Sequence, residues 1–448
     1  MGRLFGTDGV RGVANTELTP ELAFKLGEAG ACVLAEKNKK PRIVIAKDTR
    51  ISGDMLEAAL SAGILSMGAD VLYIGVLPTP AAAYLIKYYN ADAGVVISAS
   101  HNPFEYNGIK FFNKDGYKLE DAVEDRIESV VLNGMPVNEK IWGEALGKRI
   151  IKDDALYQYT EFLKKTVDVS FDGMKVIIDC ANGAAYRAAE KTFNELGSNV
   201  TAMHDRPDGI NINVKCGSTH PEDLRKSVVD ANADAGLAFD GDADRLIAVD
   251  EKGNIVDGDK IIYICSKMLK EEGRLKDNRV TATVMSNIGF YKALENIGCV
   301  AETTKVGDRY VLERMIEKGS IIGGEQSGHI IFLEHTTTGD GILSALQLLR
   351  AVKKSGRKLS ELAGEVTIYP QVLVNARVQN EKKYEYEQDE AVLSEIKKVE
   401  EKMSSEGRVL IRPSGTEPFV RVMIEGKDEE EIKSLAENLA KLIEERLG

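Results

Sequence analysis

The chain has 448 residues, 43% of them hydrophobic and 29% charged, with a formal net charge of −13. That composition suits folded domains, about three by length, and excludes disorder as the main state. The acidic balance excludes broad nucleic-acid or anionic-membrane binding, but not a small anionic substrate met by locally gathered positive charge.

The N-terminal stretch carries Arg3, Asp8 and Arg11 and no apolar segment, so no signal peptide is expected. Cys32, Cys180, Cys216, Cys265 and Cys299 are scattered without a C-x-x-C pair, as reduced thiols of a cytoplasmic protein would be. The longest uncharged run, 71–86, holds Pro78 and Pro80 and is shorter than the ~20 residues of a membrane span.

One pattern recurs three times. Apolar strands are predicted at 42–46, 175–179 and 280–284. Each is followed by a polar turn and an amphipathic helix ending at a glycine, namely Gly68, Gly197 and Gly298, where a left-handed cap fits. Second strands follow at 70–74, 199–203 and 299–303, which implies parallel pairing. A further strand comes in each copy, at 94–98, 235–239 and 320–323. Ligands of open α/β sheets bind beyond the carboxyl ends of strands, so the three sequels should face one cleft. From about 367 the order becomes strand, helix, strand, strand, helix, with an antiparallel pair. The expected fold is α/β: three related domains with mixed, mainly parallel sheets (1–152, 153–253, 254–366) and a C-terminal α+β domain (367–448), arranged around one central cleft.

Four loops carry chemistry. Asp240, Asp242 and Asp244 alternate, so an extended backbone points them the same way, and three like charges call for a hard cation such as Mg²⁺ or Ca²⁺. An EF-hand is rejected because Arg245 stands where that loop needs Gly, and the flanks read as strands. A solvated acidic turn is the plainer alternative. The run Ser98-Ala-Ser-His-Asn-Pro103 offers hydroxyls and an imidazole, although by itself it is also an ordinary turn. The run Gly323-Gly-Glu-Gln-Ser-Gly-His329 offers Glu325 for sugar hydroxyls, or is a Gly-rich turn. Arg412-Pro-Ser-Gly-Thr-Glu-Pro418, with Arg421 beyond it, has the makings of a phosphate cradle or of a Pro/Gly hairpin. Together they fit phosphoryl transfer on a phosphosugar. No G-x-x-x-x-G-K-[ST] loop occurs, so the phosphoryl group would come from the protein or from another sugar phosphate.

On these motifs, with the opening Arg3-Leu-Phe-Gly-Thr-Asp-Gly-Val-Arg-Gly12, Cys216-Gly-Ser-Thr-His220 and His335-Thr-Thr-Thr-Gly-Asp340, the chain resembles the α-D-phosphohexomutase superfamily over essentially its whole length. It is most similar to the bacterial branch that acts on glucosamine phosphates. The resemblance implies an isomerase that interconverts glucosamine 6-phosphate and glucosamine 1-phosphate ahead of UDP-N-acetylglucosamine and cell-wall precursors. It implies a phosphoserine at Ser100, whose phosphate joins Asp240, Asp242 and Asp244 around one Mg²⁺ per chain, and a 1,6-bisphosphate intermediate. Glu325 and Ser327 would hold sugar hydroxyls, and Arg412, Ser414, Gly415, Thr416 and Arg421 the phosphate that does not react. Arg245 or Lys110 would neutralise the transferring group, with His101, Lys110 and His329 as candidate bases. Asp308 and Arg309 are weaker candidates. A hinge is expected near 364–372, and a homodimer through the first domain. The rival readings are a phosphomannomutase/phosphoglucomutase, a metal-dependent phosphatase and a non-catalytic sugar-phosphate sensor.

Overall fold

The computed structural model describes residues 4–6, 8–34, 40–134, 141–414 and 417–448. The chain forms two compact units, residues 1–285 with 298–365, and residues 286–297 with 366–448. Among the described residues no helix is long and apolar enough to cross a membrane.

The first unit holds three sheets that repeat one strand order. In the first, Arg42–Lys47 lies between Asp70–Val76 and Ala93–Ile97, parallel to both. In the second, Lys175–Asp179 lies between Asn199–Met203 and Ala235–Phe239. In the third, Arg279–Thr283 lies between Val300–Thr304 and Ile322–Gly324. The central strands are nearly all buried, which is why the first two read as apolar runs; the third, Arg279-Val-Thr-Ala-Thr283, alternates with threonine and is buried all the same. Gly68, Gly197 and Gly298 all take positive φ after their helices, as expected of chain reversals into the next strand.

The repeat has a fourth member that the sequence announced only beside the acidic loop, whose flanks read as strands. Each third strand turns back into an antiparallel partner: Tyr106–Asn113, Leu246–Asp250 and Ile330–Phe332. The Ser98, Asp240 and Glu325 loops are therefore connections between two adjacent strands of a sheet. Their backbones are anchored on both sides, which suits loops that must hold charged groups in fixed positions.

The second unit is built on an antiparallel sheet with Phe419–Glu425 between Gln371–Arg377 and Arg408–Pro413. Helices Glu390–Met403 and Glu429–Leu447 start at Asp389 and Asp428, whose carboxylates accept hydrogen bonds from the first free backbone N–H groups. Val420, Val422 and Ile424 of the central strand meet Ile432, Leu439 and Ile443 in its core. The helix of the third repeat, Ile288–Asn296, groups with this unit. Asn287 exchanges hydrogen bonds with the Tyr369 backbone (2.9 and 3.0 Å), and the Ile288 N–H donates to Glu425 Oε2 at 3.0 Å.

Candidate active site

Strand Ala93–Ile97 delivers the chain into Ser98-Ala-Ser-His-Asn-Pro103 at its carboxyl end. Ser100 is buried, at 2% exposure, and its φ of 51° lies in the left-handed region. That conformation is uncommon for a residue with a side chain and is sustained by its surroundings. Its hydroxyl donates to Asp240 Oδ2 at 2.5 Å, and His101 Nδ1 lies 3.4 Å from the same oxygen. Burial, helped by Arg245 and Arg11, pushes the His101 imidazole below its usual pKa and so toward the neutral ring.

The acidic loop joins Ala235–Phe239 to its antiparallel partner, so strands flank it and an EF-hand is excluded. Asp240, Asp242 and Asp244 are all buried, and an oxygen from each lies within 4.8 Å of the others. Asp242 Oδ2 accepts from Thr79 Oγ1 at 2.6 Å and from Lys110 Nζ at 2.8 Å. Asp242 Oδ1 and Asp244 Oδ1 are buried and accept no hydrogen bond from the described residues. Buried carboxylate oxygens are costly in that condition, and a hard cation with all-oxygen ligation is what would satisfy them. The triad thus fits a metal site. Burial, then Asp244 and Asp242, raises the Asp240 carboxyl well above the usual range. Burial would raise Asp244 too, but His329, Lys110 and Arg245 hold it far below.

The third loop is stitched to the second. Arg245 and His329 form an antiparallel bridge, and the Leu246 N–H donates to Gly328 O at 3.0 Å. Glu325 is half-buried, with Oε1 accepting from the Gly307 N–H at 3.0 Å, and Ser327 is exposed. His329 is buried with Nδ1 3.6 Å from Asp244 and Nε2 3.7 Å from Asp308. Burial lowers its pKa, and Asp244 more than offsets that. The Gly339 N–H donates to Nε2 at 3.0 Å, which places the ring proton on Nδ1 and opposes a second one.

Lys110 sits on the return strand opposite Val96, fully buried, 2.8 Å from Asp242 and 3.0 Å from Asp8. Burial alone would lower its pKa, but Asp242, Asp8 and Asp244 raise it, so Lys110 stays charged and neutralises rather than accepts a proton. Asp8 and Asp308 are bridged by Lys118 Nζ at 2.6 and 2.5 Å. These groups line a cavity of about 310 Å³. Asp308 thereby lines this cavity, and so does Arg309, which pairs there with Asp121 and Glu313.

In the second unit Arg412 and Arg421 stand opposite each other across the antiparallel pair. Like charges in that register repel. Burial and Arg421 lower the pKa of Arg412, and an anion between the two guanidinium groups would relieve both effects. Ser414 is buried beside them, and Lys383, which the sequence did not single out, donates to its carbonyl at 2.9 Å. Gly415 and Thr416 lie outside the described residues.

In a second group of metal-capable side chains, Asp179, His204 and Cys216, the carboxylate is already taken up by backbone hydrogen bonds. The two Asp179 oxygens accept from the Ala181 and Gly217 N–H groups, both at 2.9 Å, and His204 Nδ1 is 3.1 Å away. This carboxylate ties together three loops behind the acidic one.

Asp340 links the second and third repeats. It caps helix Gly341–Ser355 by accepting from the Leu343 N–H at 2.9 Å, and it accepts from Tyr159 Oη at 2.8 Å. Burial pushes its carboxyl up to about 7, and the Asp244 charge adds to this. A folded-state pKa above the unfolded one means stability that is full below about pH 4 and is lost as pH rises to about 7. An Asp340→Asn variant keeps the acceptor and has no proton to lose. Its melting temperature should therefore fall less between pH 5 and pH 8 than the parent's, and an equal fall would contradict the assignment.

A buried serine hydroxyl against a cation-ready acidic triad, set on repeated α/β units, is an arrangement suited to phosphoryl transfer. The chain belongs to the phosphoglucomutase/phosphomannomutase family: alpha/beta/alpha domains I, II and III match residues 2–137, 157–253 and 257–369, and the C-terminal domain matches 373–442. It is a mutase, and so an isomerase. Among its relatives, the phosphoglucosamine mutase of Clostridium novyi is 60% identical over 446 residues, covering 100% of this chain and 99% of the relative. The phosphoglucosamine mutase of Acetivibrio thermocellus is 59% identical over 449 residues, covering 100% of both. The solved structure of a Burkholderia thailandensis phosphoglucomutase/phosphomannomutase family protein shares the fold, with a TM-score of 0.81 at 22% identity, over 98% of this chain and 97% of that one.

Proposed function

We propose that the chain interconverts glucosamine 6-phosphate and glucosamine 1-phosphate, with Ser100 as carrier of the phosphoryl group and Mg²⁺ as the resident cation. The observation that carries this is the 2.5 Å contact between the Ser100 hydroxyl and Asp240, beside two buried carboxylate oxygens with no partner. A phosphate on that hydroxyl would face Asp240 as a like charge, so the pair needs a cation between them. Asp240, Asp242, Asp244 and an oxygen of the phosphoserine would hold Mg²⁺, which supplies neutralisation of charge on the group in transfer.

In the first half-reaction the bond from phosphorus to Ser100 Oγ breaks and a bond to the sugar's C1 oxygen forms. The C1 hydroxyl gives up its proton to a base near the cleft, His101 rather than His329, whose Nε2 already accepts the Gly339 N–H. Lys110 and Arg245 offset the charge of the phosphoryl oxygens. The 1,6-bisphosphate then reorients, the bond from its 6-phosphorus to O6 breaks as one to Ser100 Oγ forms, O6 takes the proton back from the base, and glucosamine 1-phosphate leaves. Glu325 and Ser327 would take sugar hydroxyls, while Arg412, Ser414, Gly415, Thr416 and Arg421 would take the phosphate that is not reacting.

Peptide mass spectrometry of the purified protein, paired with glucosamine, glucose and mannose phosphates as substrates, tests this. Phosphate on Ser100 and fastest turnover on glucosamine phosphates are expected. An unphosphorylatable Ser100 would overturn the carrier role. Fastest turnover on mannose or glucose phosphates would overturn the substrate, and release of free phosphate without isomerisation would overturn the reaction class.

A further inference from the structure

Ser100 is held from its backbone as well as from its hydroxyl. Arg50 is buried at 3% exposure and spends all five guanidinium donors. Nε donates to Asp48 Oδ2 at 2.9 Å. Nη1 donates to the carbonyls of Pro103 and of Tyr106, the latter at 3.0 Å. Nη2 donates to those of Ser100 and Asn102 at 2.9 and 2.8 Å. Asp48 Oδ2 also accepts from Ser98 Oγ at 2.6 Å, and Ser98 Oγ accepts the Ser100 N–H at 3.0 Å. Both the N–H and the carbonyl of Ser100 are thus tied, directly or through one hydroxyl, to the Asp48–Arg50 pair.

A second clamp comes from the second repeat. Asn213 Nδ2 donates to Ser100 O at 2.8 Å and to Asn102 O at 3.2 Å. The space around that carbonyl is full: a Cβ on Gly241 of the acidic loop would stand 2.6 Å from Ser100 O and 2.9 Å from Asn213 Nδ2. Asn213 itself has a φ of 59°, which asparagine tolerates better than most side chains.

We propose that Arg50 and Asn213 are positioning residues, which grip the Ser100 carbonyl from two repeats and hold the left-handed backbone that aims Oγ at the cation site. A residue at φ near 50° relaxes toward the allowed region when its surroundings let it. Relaxation swings the Cα–Cβ bond and takes Oγ away from Asp240. The donors of both side chains are spent on protein acceptors, so the predicted defect lies in the transfer step and not in substrate binding. This rests on Ser100 being the phosphoryl carrier.

The test uses Asn213→Gly, which removes the donor and accepts the positive φ, and Asn213→Asp, which keeps the shape and replaces the donor by an acceptor. Parent and variants are charged with glucose 1,6-bisphosphate, freed of excess, and mixed with glucosamine 6-phosphate in single turnover. The transfer rate is expected to fall about 10- to 100-fold in both variants. Half-saturation by glucosamine 6-phosphate and the melting temperature should stay parent-like. A parent-like transfer rate in either folded variant would overturn the proposal, as would a loss that only tracks the folded fraction. Asp at this position is isosteric, so it carries the test if the glycine variant does not fold. A parent that takes no phosphate on Ser100 overturns the carrier role itself, and this is seen before either variant is used.

Discussion

Ser100→Ala should lose mutase activity by a factor on the order of 10⁵ while keeping its fold. The hydroxyl can form and release a phosphate ester, and it lies within hydrogen-bond reach of Asp240. Its loss leaves a buried methyl group in a tight site and removes one hydrogen bond. The backbone need not change, since Ala181 and Ala243 also take positive φ in this chain. Ser100→Thr sharpens the point. It keeps a hydroxyl, but a β-branched side chain is a strong outlier at φ 51°, so it should also be slow. The measurement is turnover of glucosamine 1-phosphate, with peptide mass spectrometry for phosphate at position 100. An alanine variant that turns over normally would remove Ser100 from the chemistry, whatever else is phosphorylated.

Much of this site was legible because its residues lie where a repeat changes register. The strands at 42–46 and 175–179 announced themselves by apolar runs and the one at 280–284 by its β-branched residues, and the structure places all three between the corresponding neighbours of three sheets. The loops after the third strands stood out because Ser, Asp, Glu and His interrupt an apolar pattern. Two of the three return strands did not stand out. Tyr106–Asn113 mixes Asn, Gly and Lys with aromatics, and Ile330–Phe332 is three residues long, so neither shows a clear period.

The charged residues that join the repeats were illegible for a different reason. Lys118 meets Asp8 across 110 positions and Asp308 across 190. In sequence these look like any solvated surface charges, because only folding makes them partners. Arg50 was hidden in the same way, since its five acceptors are an Asp48 oxygen and four carbonyls. A backbone carbonyl has no sequence signature. The net charge of −13 likewise describes the chain as a whole, while Lys110, Lys118 and Arg245 make a local cationic wall at the triad.

Asp240→Asn should lose activity and yet melt higher than the parent when divalent cations are chelated. Asp240 bears the least comfortable charge of the three: burial raises its carboxyl, and Asp244 and Asp242 add repulsion. Its folded pKa is raised, so without a cation the stability it contributes is lost as pH climbs past the unfolded value of about 4. The amide removes that loss and keeps an oxygen to accept from the Arg245 N–H, as Asp240 Oδ1 does at 3.2 Å. In the parent, adding Mg²⁺ should raise the melting temperature, because a ligand that binds only the folded state stabilises it by mass action. In Asp240→Asn that increment should shrink or vanish, with turnover down by about 10²- to 10³-fold or more. Differential scanning fluorimetry in EDTA and across a Mg²⁺ titration, at pH 8, reads both effects without relying on activity. A variant that melts lower than the parent in EDTA would mean that Asp240 is stabilised by its hydroxyl and backbone donors more than it is strained by its neighbours. An unchanged Mg²⁺ increment would place the cation elsewhere.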